Sequence, residues 1–343
     1  MDDSFTPDRG DGLTAGVSLR HPQAQVRVLP QAGGLNLVQV QLSDPGFMPL
    51  ASCRTTYQAE LIELILRQVG PRYLCDEIMR DQDPDYIPSL LKCAILGYVD
   101  PGEFDNRRVL DFGCGSGAST MILARLFPKA KLVGIELEER LLEIANARAR
   151  FEGASNVQFV HALESHILHP ALGSFDHIVL SAVYEHLLPE ERQSLLPQLW
   201  ASLRPGGVLF IDQTPHRYFP LEWHTTGLPL INYLPARPAL WLGRTFSPRV
   251  SSTHSWPDLL RRGIRGATVG EILGILGRTG QAPLRLKADR MGFRDELDLW
   301  FHANRPRKSG SAFRGLYRGL KMLRRLTRVS LPPYISIALR KQA

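Results

Sequence analysis

The stretch VLDFGCGSGAST, residues 109–120, runs from apolar residues through Asp111 into three glycines set two apart, Gly113, Gly115 and Gly117, and then into small residues. Glycine permits a tight strand-to-helix turn with positive φ and lets a ligand approach the backbone closely. The loop satisfies G-x-G-x-G and, with Ala118, also the dinucleotide pattern G-x-G-x-x-G/A. The glycines alone leave two ligands open, a nicotinamide-type dinucleotide and an adenosyl cofactor without a pyrophosphate. Asp111 separates them. A pyrophosphate at a helix N-terminus carries two negative charges, so a carboxylate two residues before the first glycine is an awkward neighbour. A cofactor bearing an ammonium and a sulfonium would welcome it, and S-adenosyl-L-methionine carries both.

Working outward, strands and helices alternate. RRVLDFG reads as a strand, ASTMILARLF as a helix, KLVGIEL as a strand, EERLLEIANARARFEG as a helix and NVQFVHA as a strand. FDHIVLSAV is a strand, ERQSLLPQLWASL a helix and GGVLFIDQ a strand. Short connections between such units imply a parallel sheet covered on both faces. The order breaks at Thr214: from Pro215 to Pro257 seven prolines stand among Trp, Tyr, Phe and His. Proline at that density locks the backbone and removes donors. An insertion after a strand's carboxyl end in an open α/β sheet lies over the ligand crevice, so residues 213–282 are expected to form a lid. Helix returns at VGEILGILGRTG, and APLRLKADR and PPYISIALRK read as two late strands.

VLDFGCGSG, the acid in VGIELEE, FDHIVLSAVYEHL and LRPGGVLFID together resemble the successive motifs of the class I S-adenosylmethionine-dependent methyltransferases, over about residues 107–212. PYISIALRK is similar to the last strand of that fold, antiparallel in the family. The resemblance implies a Rossmann-like, doubly wound seven-stranded α/β sheet with an antiparallel last strand, here with a helical N-terminal extension and a Pro/aromatic-rich lid. It also implies residue roles. Asp111 and the loop of Gly113, Gly115 and Gly117 hold the methionine end, Glu136 the ribose hydroxyls and Leu137 an adenine face. The family's acid after the third strand is replaced by Leu163, so Glu164 or the Leu163 backbone serves there, and Ser181 faces the methionine portion.

The sulfonium is an activated donor, so the enzyme chiefly aligns donor and acceptor, and a base is needed only if the acceptor loses a proton. Glu185 and His186 follow the fourth strand, and His186, with an unperturbed pKa near ~6.5, suits deprotonation of a hydroxyl; the other reading is that it braces the loop. His224, beside Thr225, Thr226 and Gly227, sits in a turn-like setting that could aim it inward. SAVY stands where methyltransferases of nucleic-acid bases carry Asn/Asp-Pro-Pro-aromatic. The lid composition points to a hydroxyl on a small-molecule, saccharide or lipid-linked acceptor. An RNA methyltransferase and a non-catalytic cofactor-binding regulatory module are the competing readings.

The chain of 343 residues has 41 Lys and Arg against 34 Asp and Glu. The excess is local: Arg305 to Arg328 holds nine basic residues and no acidic one, and the remainder nets −2. In SAFRGLYRGLKMLRRLTR, Phe313, Leu316, Tyr317, Leu320, Leu323 and Leu326 fall on one helical face and the basic residues mostly on the other. That face either packs on the sheet, or lies through residues 312–328 on an anionic membrane, or grips a phosphate-rich ligand or RNA. The start, MDDSFTPDRGDG, lacks a basic-then-apolar leader and no apolar run nears the ~20 residues that span a bilayer, so a cytoplasmic protein is expected, with peripheral contact at the inner membrane face. Cys53, Cys75, Cys93 and Cys114 lack disulfide or zinc spacing, so no metal is expected. The expected organisation is a mostly irregular segment 1–50, a helical lead-in 51–106 and a domain 107–343 that includes the basic helix 305–328. Oligomeric state is not legible.

Overall fold

The structure, a computed structural model, describes residues 16–44, 46–164, 167–308 and 310–342, and the chain divides into two compact units at Gln82/Asp83.

In the first unit, β1 (Val17–His21), β2 (Ala24–Pro30), β3 (Asn36–Leu42) and β4 (Ser52–Thr55) form an antiparallel sheet in sequence order, followed by α1 (Ala59–Val69) and α2 (Leu74–Gln82). The irregular reading of residues 1–50 therefore fails over 17–42; for residues 1–15 it lies outside the described residues. The cause is legible afterwards. Ala24, Val26 and Val28 are buried while Gln25 and Arg27 between them are exposed, a period of two that the surrounding Gly, Pro and Gln obscure. The lead-in also divides, because α1 and α2 belong to this unit and α3 (Ile87–Leu96) to the second.

The second unit is built on β5 (Arg108–Phe112), β6 (Lys131–Glu136), β7 (Val157–His161), β8 (Phe175–Ser181), β9 (Leu203–Pro215), β10 (Leu284–Arg285) and β11 (Tyr334–Arg340). Their order is β7-β6-β5-β8-β9-β11-β10, with β5 to β9 parallel and β11 antiparallel to both neighbours. Between the parallel strands run α4 (Ala118–Leu126), α5 (Glu139–Glu152) and α6 (Pro189–Ser202). Both faces are buried, so consecutive strand residues divide between two cores. Leu110, Ile178, Leu180 and Leu209 pack under Leu195, Leu199 and Trp200 of α6. Val109, Val179, Val208 and Phe210 pack under Leu91 and Ile95 of α3 and Ile122 and Leu123 of α4. The chain leaves β5 toward β6 and β7 on one side and later fills β8 and β9 on the other. This reversal opens a crevice at the strands' carboxyl ends.

The expected lid region contains α7 (Ala236–Phe246), α8 (Trp256–Arg261) and α9 (Val269–Gly277). Ala239, Val250, Leu259 and Ile264 give it a small core of its own. After α10 (Glu296–Asn304) comes the basic helix, α11 (Ser311–Thr327). Its apolar face is largely used up internally: Phe313, Leu316, Tyr317 and Leu320 pack with Phe219, Leu297 and Trp300. Lys321 pairs with Asp295 and Asp298 at 2.7 Å each, and Arg324 also pairs with Asp295. Met322 and Leu326 remain 63% and 74% exposed, beside exposed Arg314, Arg318, Arg325 and Arg328. No helix among the described residues is long and apolar enough to cross a membrane.

Leu180 is fully buried at the centre of the sheet. Leu180→Ala should cost about 2–5 kcal/mol, read as a lowered urea midpoint at unchanged slope. Leu163→Ala, at a position 83% exposed, should stay within about 0.5 kcal/mol of the parent.

Candidate active site

The loop after β5 is glycine-rich for three separate reasons. Gly113 (φ +72°) faces Val183, whose Cγ2 would lie 2.8 Å from an added Cβ; Gly117 (φ +82°) abuts Ala145 of α5 at 2.7 Å; Gly115 (φ +56°) meets nothing within 4 Å. The first and third close the loop against its neighbours, and the middle one leaves it open. The amides of Gly113 and Cys114 both donate to the Ile135 carbonyl at 2.9 Å, which fastens the loop to β6.

Asp111 does not reach the opening. It is 1% exposed, and its Oδ2 accepts the Ser119 and Thr120 hydroxyls, each at 2.6 Å, in the first turn of α4. Burial pushes its carboxyl up, and the two hydroxyls oppose that shift. For Asp111, expected with the glycine loop to hold a methionine end, the structure shows a carboxylate one layer below the loop that holds the loop itself. Cys114 is buried as well, with its thiol pushed well up by burial.

The crevice holds a cleft of about 440 Å³, within the usual range for small-molecule sites. Its walls include Phe112, Gly113, Ile135, Glu136, Leu137 and Glu164 on the β6 side, and Ala182, Val183, His186, Leu187 and Arg261 on the β8 side. At the end of β6, Glu136 accepts the Gly115 amide at 2.8 Å on Oε2 and the Leu137 and Glu138 amides at 2.7 and 3.1 Å on Oε1. Gly115 and Gly117 support the loop without lining the cleft. Leu163 lies in an adjoining cavity of about 540 Å³ that shares Ile135, Ala162 and Glu164 with the first. Ser181 is not among the lining residues; Ala182, at φ +56°, and Val183 take that place. The amide of Ala182 donates to the Asp212 carbonyl at 2.9 Å.

Three residues from two distant parts of the chain meet at the β8 side: one ligand atom each of Glu185, His186 and His224 lie within 4.8 Å of one another. The His186 and His224 rings are 5.5 Å apart. His186 Nδ1 is 2.7 Å from the Arg261 carbonyl. A carbonyl only accepts, so Nδ1 carries the hydrogen and the neutral ring keeps its lone pair on Nε2. Burial lowers the pKa of His186, and burial with the fields of His186 and Arg249 brings His224 down to about 4. Both rings are therefore neutral near pH 7. Glu185 is fully buried and is pushed up to about 8 by that burial. His224 owes its position to Glu222, whose carboxylate accepts the Thr225 and Thr226 amides at 2.7 and 2.6 Å and so builds the turn.

Sequence reasoning missed the residues that clamp this corner. Arg192, from α6, donates to the carbonyls of Leu187 and Gly266 at 2.9 and 2.8 Å and to Glu271 at 3.0 Å. Arg261, at the end of α8, makes a two-pronged pair with Glu191 at 2.5 Å. Two arginines beside an apolar helix face were the available signal, but their partners stand seventy or more residues away in sequence.

Residues 109–207 match the family described as Methyltransferase domain. A trans-aconitate 2-methyltransferase of Variovorax paradoxus is 38% identical over 116 residues, 33% of this chain and 40% of the relative. A demethylmenaquinone methyltransferase of Lactococcus lactis is 27% identical over 156 residues, 45% and 58% of the two chains. The solved structure of an O-methyltransferase family protein from Burkholderia thailandensis aligns with a TM-score of 0.43 at 14% identity, over 84% of this chain and 74% of that one. The chain spans about half the length of the curated relatives it matches.

Asp212, buried at the end of β9, is raised to about 6 by burial. The folded state then keeps a proton that the unfolded chain releases near pH 4. The stability Asp212 contributes is full below that pH, falls as pH rises toward about 6, and is gone above it. Asp212→Asn should flatten the difference curve in that window, measured by urea denaturation of both proteins across pH.

Proposed function

We infer that this chain, which belongs through residues 109–207 to the class I S-adenosylmethionine-dependent methyltransferases, methylates a hydroxyl of a small-molecule, saccharide or lipid-linked acceptor. The observation that carries this reading is a single cleft with a carboxylate at a strand end on one side, Glu136, and His186 on the other, with Glu185 and His224 gathered about that histidine. The residues present fit an adenosyl cofactor: Glu136 stands where paired ribose hydroxyls could donate to it, Ile135 and Leu137 offer apolar surface, and Gly113 lines the cleft with bare backbone. Bound there, S-adenosylmethionine supplies a methyl group already activated on a sulfonium.

The chain's own part is positioning and proton handling. Gly113 and Gly115 are assigned to the methionine portion, Glu136 to the ribose, Leu137 to one adenine face and Glu164 to the adenine amino group. Val183 and Leu187 wall the gap between the two sides and limit water. The neutral Nε2 of His186 accepts the acceptor's hydroxyl hydrogen, while the Arg261 carbonyl holds the ring in that tautomer. His224 brings the lid to the same point. A regulatory module without turnover has no use for this second group, and this favours an enzyme.

The exposed part of α11 supports a peripheral partner surface. Arg314, Arg318 and Arg325 flank Met322 and Leu326, an arrangement suited to anionic headgroups, each basic residue contributing up to about 1 kcal/mol near the surface. Lipid-linked acceptors would meet the enzyme there.

Glu136→Ala should raise the Kd for S-adenosylmethionine at least about tenfold in calorimetry, roughly 1.4 kcal/mol. His186→Ala should leave that Kd within about twofold and lower kcat by about 10²–10⁴, read with labelled methyl donor and cell-extract acceptors. Binding of a nicotinamide dinucleotide in place of the sulfonium compound would refute the assignment. In sedimentation with phosphatidylglycerol vesicles, binding should weaken with salt and fall several-fold in Arg318→Glu/Arg325→Glu; retention of nuclease-sensitive RNA instead would support the RNA reading.

A further inference from the structure

The Glu185–His186–His224 group has a property that the reading above leaves unused. Glu185 Oε1 is buried with no hydrogen-bond partner among the described residues. It lies 3.8 Å from His186 Nε2, which is itself a lone-pair atom because Nδ1 donates to the Arg261 carbonyl. A ring nitrogen of His224 completes three ligand atoms within 4.8 Å. A buried carboxylate oxygen and a ring lone pair that converge repel unless a proton or a cation stands between them, and the buried oxygen has no hydrogen-bond partner to relieve it. The arrangement calls for an electron-poor species at its centre.

We propose that Glu185, His186 and His224 bind one divalent first-row transition metal ion, Zn2+ foremost, in the wall of the cleft. Two imidazoles and a carboxylate are a donor set for zinc with a fourth position open, and related ions accept the same set. An ion about 2.0–2.2 Å from each ligand spans the 3.8 Å pair directly and requires the widest pair, at 4.8 Å, to close toward about 3.4 Å. The outer contacts of a metal site are in place. The Arg261 carbonyl fixes the His186 tautomer, and the Thr214 hydroxyl donates to Glu185 Oε2 at 3.1 Å, turning Oε1 inward. Gly263 closes the group from the lid. At φ +88°, its added Cβ would stand 2.7 Å from His224 Cδ2 and 3.1 Å from Glu185 Cγ, so only glycine lets that backbone rest on both.

The consequence rests on the reading of this wall as the acceptor side. The ion ties the lid, through His224, to the turn after β8, and its open position takes an acceptor oxygen. A coordinated hydroxyl ionises more readily, as zinc-bound water does, releasing its proton to the solvent that reaches the half-exposed His186, so that no free Nε2 is needed as base. The expectation of no metal came from cysteine spacing, which bears only on thiolate sites.

The test uses the full chain stripped with chelator, titrated with Zn2+ in a calorimeter and with Co2+ by visible absorption. One ion per chain is expected, with Co2+ bands of nitrogen and oxygen coordination. Glu185→Gln and His224→Ala should each weaken binding at least about tenfold, while exposed His302→Ala leaves it unchanged. Circular dichroism verifies the fold, and His224→Gln replaces any variant that does not fold. No bound ion, or affinity indifferent to both ligand variants, overturns the proposal. S-adenosylmethionine binding is measured on the same stripped protein: cofactor without metal refutes the metal site alone, and metal without cofactor refutes the functional reading alone.

Discussion

A carboxylate buried under a helix start organises this domain. Asp111 cannot be solvated, so its charge needs donors, and the two hydroxyls in the first turn of α4 supply them where the helix end is itself positive. That attachment fixes how the chain leaves β5. With the exit fixed, Gly117 must press on α5 and Gly113 on Val183, and the Gly115 amide comes to Glu136. The geometry of the cleft is downstream of a contact buried beneath it.

The opposite wall depends on arginines. Arg192 gathers the carbonyls of Leu187 and Gly266 with the Glu271 carboxylate, joining the turn after β8 to the point where the lid rejoins the sheet. Arg261 grips Glu191 with its side chain and His186 with its carbonyl. An arginine fork with fixed donors suits such a joint better than a lysine point charge, because several acceptors at set angles must be satisfied at once. The lid is therefore anchored at both the α8 end and the α9 approach, and its own small core keeps the part between from being a loose loop.

How much of this was legible follows from how local each signal is. The parallel strands and their helices were readable because apolar runs and glycine turns are properties of neighbouring residues, and β5 to β9 fall where the pattern placed them. The four-stranded sheet was missed because its alternating apolar positions stand among Gly, Pro and Gln residues that resemble those of an irregular segment. Glu136, His186 and Leu137 stand in the cleft as the motifs implied, whereas Asp111 and Ser181 do not line it. A motif says that an acid or a small residue is needed at a position. It does not say whether that residue faces the ligand or braces the backbone that does, since both need the same chemistry. Gly263 and Arg261 act through partners far away in sequence, and Arg192 joins nearby Leu187 to distant Gly266 and Glu271, so a local pattern does not expose these joints.

The match to the methyltransferase family ends at residue 207, before the chain leaves β9 for the lid. The division is physical. The β6 side of the cleft is made from the first strands of the sheet and their turns, whose shape is set by backbone contacts such as the Ile135 carbonyl holding Gly113 and Cys114. The β8 side takes Glu185 and His186 from within the matched region but completes itself with His224, Gly263 and Arg261 from outside it. A match over residues 109–207 alone therefore covers the β6 half of the cleft and carries no information on how the other half is closed. On the proposed reading, acceptor choice belongs to the proline-rich insertion and to the side chains it delivers against the turn after β8.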